Sequence, residues 1–195
     1  MSYPTKDEMW QTGKLHAINF CEANALPVPA FIAEETWPFG SCAYYRMTKD
    51  GRGKVVGCVK KMAHIGTAGQ AWSYPGHIID RTPYGVIAHE MGHHVDAIKG
   101  NVKQGYISGF SVLICSQSQE TKLTNYCPNT GEWFAEMMRL FITNPNLLKA
   151  IRPKTFSLLT LNFIKPIETR SFQEVLKDAP ERTLQLACKR VLKGV

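Results

Sequence analysis

The sequence predicts an α+β fold, and three observations carry that expectation. Two β-like stretches flank a Gly- and Asp-rich turn in the first third of the chain. Helical spacing of apolar residues dominates from residue 82 onward. The chain has 195 residues, of which 44% are hydrophobic and 20% charged. Those values are ordinary for a globular protein and sufficient for a sizeable core. We read one domain. A helix-plus-sheet half spans 1–80, the helices with functional side chains span 81–165, and C-terminal helices span 166–195.

The elements follow in order. Residues 6–25 read as a helix, with acids early and apolar residues at Met9, Leu15, Ile18 and Phe20. Pro27 and Pro29 end it. Residues 41–48 and 54–60 read as a hairpin around KDGRG. Residues 62–75 are Gly- and Ala-rich and carry no clear period. Tyr74-Pro75-Gly76 marks a turn, and 77–80 (HIID) a short strand. Thr82 is the expected N-cap of a central helix, with Pro83 at its first position. Its apolar set is Val86, Ile87, Met91, Val95 and Ile98, and Gly100-Asn101 ends it. Residues 108–118 read as a helix, although their β-branched residues leave a strand open. The loop LTNYCPNTG leads into a strong helix from Glu132 to about Thr143, stopped by Asn144-Pro145. Residues 146–165 read as one or two helices broken near Pro153. Capping-box patterns at Ser171–Glu174 and Asp178–Glu181 each open a C-terminal helix.

Composition bounds the partners. The formal net charge is +7, but Lys and Arg are scattered and no basic stripe is interleaved with aromatics. No nucleic-acid partner is therefore expected. The segment MSYPTKDEMW lacks a basic stretch followed by an apolar one, so no Sec signal is read there. The expected location is cytoplasmic, with virion association or export by a non-Sec route as alternatives. No apolar run reaches the roughly 18–20 residues that span a bilayer. The six cysteines include no CxxC and read as reduced thiols; Cys42 and Cys58 could face each other across the hairpin.

The chemistry concentrates in His89-Glu90-Met91-Gly92-His93. Histidines four apart share one helix face, so both imidazoles can reach a single zinc ion. The Glu after the first His can then act on a water at that ion. HExxH alone also occurs by chance. Here it lies on a helix with a start and a stop, and Gly92 allows close approach of a neighbour.

A catalytic zinc needs a third protein ligand. The HExxHxxGxxH continuation fails, because Asp96 and Lys99 stand where it needs Gly and His. Glu132, at the start of the second helix, can serve instead, as in thermolysin-like enzymes. Glu136 lies one turn later on the same face and can accept a hydrogen bond from a ligand His. Asp96 shares the ligand face and reads equally as an outer partner, a fourth ligand or a surface ion pair. His94 points about 100° away and reads as a structural histidine. His16, His64 and His77 have no ligand spacing. Met91, Met137 and Met138 read as core fillers. Tyr126 precedes the Glu132 helix; spacing alone favours an aromatic that anchors the loop.

The segments AHEMGHHVD (88–96) and LTNYCPNTGEWFAEMMRLF (123–141) together resemble the protease domain of anthrax lethal factor and its relatives. That family has an HExGHxVD helix, a Leu-Thr-Ser-Tyr loop and a Glu-Phe-Phe-Ala-Glu helix. PKTF at 153–156 extends the likeness, which covers about residues 80–165. The resemblance implies zinc bound by His89, His93 and Glu132, Glu90 as general base, and Tyr126 as a catalytic tyrosine that steadies the oxyanion. The loop from Tyr126 to Glu132 is one residue shorter than the family's, and Cys127-Pro128 replaces Gly-Arg.

The expected fold is thus a zincin-like metallopeptidase domain. A small N-terminal sheet covers the HExxH helix, and the C-terminal half is helical. The expected activity is zinc-dependent endopeptidase hydrolysis of a peptide or protein, with one zinc ion. The substrate is expected to add as a strand to an edge at 77–80. Alternatives are hydrolysis of peptidoglycan cross-links, by a wall enzyme or a virion-associated metallohydrolase, and a non-catalytic zincin that binds protein.

Overall fold

A computed structural model describes residues 5–63, 81–100, 109–123, 127–162 and 164–166. The expected turn at 74–76, the strand at 77–80, His64, His77, Tyr126 and both C-terminal helices lie outside the described residues.

Helix α1 spans Lys6–Ala23. Thr5 caps it through a reciprocal capping box with Glu8, which satisfies two backbone donors of the first turn. The buried face includes Met9 and Phe20 of the expected apolar set. It is Met9, Trp10, Gly13, Ala17, Phe20 and Cys21, whereas Leu15 is 60% exposed. Small residues were the missing signal. A Cβ on Gly13 would lie 3.0 Å from the Cα of Tyr84, so α1 crosses the central helix at this position.

Three short strands follow: β1 (Ala30–Ala33), β2 (Ala43–Arg46) and β3 (Lys54–Gly57). β2 and β3 pair antiparallel with Tyr44 opposite Val56, which is the expected hairpin. The turn between them uses left-handed backbone at Gly51 (φ 76°) and Gly53 (φ 82°), where a side chain would be strained. The sequence reading missed β1, which pairs parallel with β3. Its four residues, AFIA, are short and show no alternation. The strand order is β1-β3-β2, so β2 is an edge among the described strands. Cys58 donates its N–H to the Cys42 carbonyl at 2.9 Å. By antiparallel alternation, the N–H and C=O groups of Ala43 and Tyr45 then point away from β3.

Helix α2 (Pro83–Lys99) starts as expected. The Thr82 side chain accepts from the Gly85 N–H, and Pro83 occupies the first turn. Next come α3 (Gly109–Ser118), α4 (Thr130–Thr143), α5 (Pro145–Ile151) and α6 (Pro153–Leu161). Pro153 separates the last two, as the sequence implied. Asn129 caps α4 by accepting from the Glu132 N–H at 2.9 Å.

Every residue of α4 from Trp133 to Thr143 is buried. Met91, Met137 and Met138 are fully buried in this core. α2 and α4 form the most extensive contact among the described elements. Gly92 makes it possible: a Cβ there would lie 2.6 Å from the Ala135 Cα and 3.1 Å from its carbonyl oxygen. The sheet packs on the other flank of α2 through β2. The architecture is α+β, a small three-stranded sheet beside a larger helical part. Among the described residues, no helix is long and apolar enough to cross a membrane.

Candidate metal centre

α2 offers His89 and His93 from successive turns. α4 offers Glu132 and Glu136 in the same way, and the Gly92–Ala135 approach brings the two pairs face to face. His89 Nε2 lies 3.0 Å from Glu132 Oε2, and His93 Nε2 lies 3.5 Å from Glu132 Oε1. The two imidazole rings meet edge-on with centroids 5.1 Å apart. One ligand atom from each of His89, His93 and Glu132 falls within 4.8 Å of the others. Each of the three is half-buried, so the site is reachable yet shielded.

This donor set fits a divalent metal ion. Tetrahedral bonds of about 2.0–2.1 Å place ligand atoms about 3.3 Å apart, close to the two nitrogen–oxygen separations above. Two imidazole nitrogens and one carboxylate are compatible with one zinc ion and leave a fourth position open.

The other ring nitrogen of His89 is also engaged. Its Nδ1 lies 2.8 Å from Glu136 Oε1. Glu136 is held in turn by Arg139, whose Nε donates to Oε1 at 3.2 Å and whose Nη2 donates to Oε2 at 2.9 Å. Arg139 is fully buried. Its guanidinium fork therefore fixes a carboxylate that itself orients a ligand histidine. The sequence reading missed Arg139, although its place three residues after Glu136 on one helix was the available signal.

Burial would lower the proton affinity of His89. Hydrogen bonds to Glu132 and Glu136, with the charges of Glu136 and Glu90, instead hold it far above the usual imidazole range. Glu136 shows the opposite balance. Burial opposes its ionisation, but Arg139 and then His89 keep its carboxyl well below the usual range. These shifts have one cause: the pocket is built of opposite charges at hydrogen-bond distance. A bound cation would take the place of a proton on His89.

Glu90 is buried, 7% exposed. Burial raises its pKa, offset in part by His89 and His93 and, to a smaller degree, by the nearby backbone of Tyr45 in β2. Glu90, His89, Glu136 and Val86 line one side of a cavity of about 450 Å³. The segment Gly40–Ala43 lines another, and Lys61 and Arg81 complete it. None of these last residues had a local sequence signal.

Asp96 is buried, and its Oδ1 accepts the Ser111 N–H at 2.8 Å, which ties α2 to the first turn of α3. His94 faces the sheet, with Nε2 2.7 Å from the Pro27 carbonyl and Nδ1 3.2 Å from the Tyr45 hydroxyl. A carbonyl only accepts, so Nε2 carries the proton and Nδ1 accepts from Tyr45. Burial lowers the His94 pKa to about 4. His16 binds the Ile142 carbonyl at 3.1 Å. The geometry thus brings together His89, Glu90, His93, Glu132 and Glu136, and it turns His94 to Tyr45 and Pro27. Comparison of the chain with protein-family models, with curated proteins and with solved structures finds no match.

Proposed function

We propose that this protein is a zinc-dependent endopeptidase with a zincin-like fold. The convergence of His89, His93 and Glu132, with His89 and the buried Glu90 lining an open cavity, carries this reading. These three residues would hold the ion. Zinc supplies a Lewis acid for the scissile carbonyl and lowers the pKa of a water.

The chain's own groups do the rest. Glu90 takes the proton as the water oxygen attacks the carbonyl carbon. It passes that proton to the leaving amine as the C–N bond breaks, giving a carboxylic acid and an amine. Burial makes the Glu90 carboxylate a stronger base than an exposed one. Glu136 with Arg139 fixes the His89 ring. The outward groups of Ala43 offer an extended peptide one rung of a β-ladder, so the substrate adds antiparallel to the edge of β2. Tyr126 takes its role as a further donor to the oxyanion from the resemblance to the lethal factor protease domain.

Metal analysis and cleavage of a peptide library test the reading together, on wild type and on Glu90→Gln. The expected wild type retains one zinc per chain and cuts peptides. The variant keeps zinc and loses cleavage by about a hundredfold or more, the scale of a general base. Carefully prepared wild type without metal sinks the reading. Bound zinc with no cleavage, unchanged in the variant, assigns the chain to protein binding instead.

A further inference from the structure

We propose that Lys61 and Arg81 form a carboxylate-binding end of the cleft, which selects substrates bearing an acidic side chain or a free C-terminal carboxylate on the C-terminal side of the scissile bond. The inference rests on the reading of this cleft as the path of a peptide.

The cleft is electrically polarised. At one end, the carboxylates of Glu90 and Glu136 meet His89 and, for Glu136, Arg139. The other end presents two cations, and among the described residues neither meets a carboxylate. The contrast within one dipeptide is informative. Lys60 reaches Glu35 at 3.4 Å. Lys61 turns to the cleft, where its ammonium donates to the carbonyls of Trp37 at 3.2 Å and Phe39 at 3.0 Å. An ammonium has three donors. Among the described residues two are spent on the loop that enters β2, and the third can serve a ligand in the cleft. Those two carbonyls also hold the charge in place, so its ordering precedes ligand binding.

Arg81 is brought to the same end by the backbone. Its carbonyl accepts the Ala63 N–H at 2.7 Å, which joins the segment after Lys61 to the start of α2. Both residues line the cavity. A guanidinium fork beside an ammonium suits a carboxylate, with paired charge-assisted hydrogen bonds.

Polarity of the chain sets which side of the substrate meets them. Glu90 sits at Tyr45 and Lys61 sits at Phe39, so the catalytic carboxylate and the cations mark opposite ends of the Phe39–Tyr45 stretch. A peptide antiparallel to β2 runs from the Tyr45 end toward the Phe39 end. Its residues after the scissile bond therefore approach Lys61 and Arg81.

The test uses pools of random octapeptides without other acids. One pool carries Glu at a fixed position and its twin carries Gln, and each is made with a free and an amidated C-terminus. Cleavage by the zinc-loaded protein should favour the Glu pool about 10- to 100-fold, the scale of one or two hydrogen bonds to a charged group. A preference that follows the free terminus instead identifies the terminal carboxylate as the source. Lys61→Gln with Arg81→Gln should bring the ratio to about one. Lys61→Glu with Arg81→Glu should turn the preference toward a Lys pool, a gain that misfolding cannot produce. A second arm measures binding of the same labelled, uncut pools to metal-free protein by fluorescence anisotropy, with the same ratios expected. Cleavage without a carboxylate preference overturns this inference and leaves the peptidase standing. A binding preference abolished by the double variant, with no cleavage, does the reverse. A ratio unchanged in the double variant overturns the inference in either arm.

Discussion

His89 and His94 sit five residues apart on α2, about 140° apart around its axis, and their surroundings differ in kind. His89 is flanked by Glu132 and Glu136, and the two carboxylates hold its imidazole far above the usual range although burial works the other way. His94 is fully buried between a carbonyl and a hydroxyl, and burial wins, lowering its pKa to about 4. One flank has excess negative charge for a cation to satisfy, and the other has neutral partners for a neutral ring. Charge of the partner, not depth of burial, divides a ligand face from a structural face on the same helix.

The comparison breaks most severely at Glu132. Replacing it with Ala removes one of three ligands. Zinc affinity measured by competition with a chelator should fall beyond the roughly 10–100-fold that loss of an outer partner gives. Next comes Arg139→Met, which leaves the buried Glu136 without its cation. Unfolding in denaturant should show a loss of about 3–5 kcal/mol. Adding Glu136→Gln should restore part of it, because the stranded charge is then gone.

The neutral flank is tested by pH. The unfolded His94 ring takes a proton near pH 6.5 and the folded ring only near 4. Between those values the unfolded state binds more protons, so stability falls as pH drops from 6.5 through 4 and is complete above 6.5. The full difference is about 3 kcal/mol. His94→Gln should abolish that part of the pH dependence, read from thermal unfolding of metal-free protein across the window. The smallest effect is expected from Glu136→Gln alone, which keeps a hydrogen-bond acceptor for His89 but not the charge. Zinc affinity should weaken about tenfold, at the low end for outer partners.

Much of the architecture was legible in local chemistry. Thr82-Pro83 announces the start of α2, Pro153 separates α5 from α6, and KDGRG turns β2 into β3. Each signal works within a few residues, through fixed φ, a capping oxygen or a missing Cβ. β1 was not legible, because AFIA gains strand character only from its partner β3. On the buried face of α1, Met9 and Phe20 were legible, but Gly13 was not, because it is buried by fitting against Tyr84 rather than by being hydrophobic. The metal ligands were legible because i,i+4 spacing on a helix predicts a shared face. Arg139 was half legible: its face could be predicted, its burial could not.

The sequence by itself determined which residues share a helix face, and so it determined His89 with His93 and Glu132 with Glu136. Helical geometry is local, and 3.6 residues per turn leaves little choice. Only the tertiary structure decided that the two faces meet, through the Gly92–Ala135 approach. It alone sent Asp96 to α3, gave His94 to the sheet, and set Lys61 and Arg81 at one end of the cleft. Those outcomes depend on contacts between residues far apart in the chain, where the packing of whole elements sets the distance and no spacing rule applies.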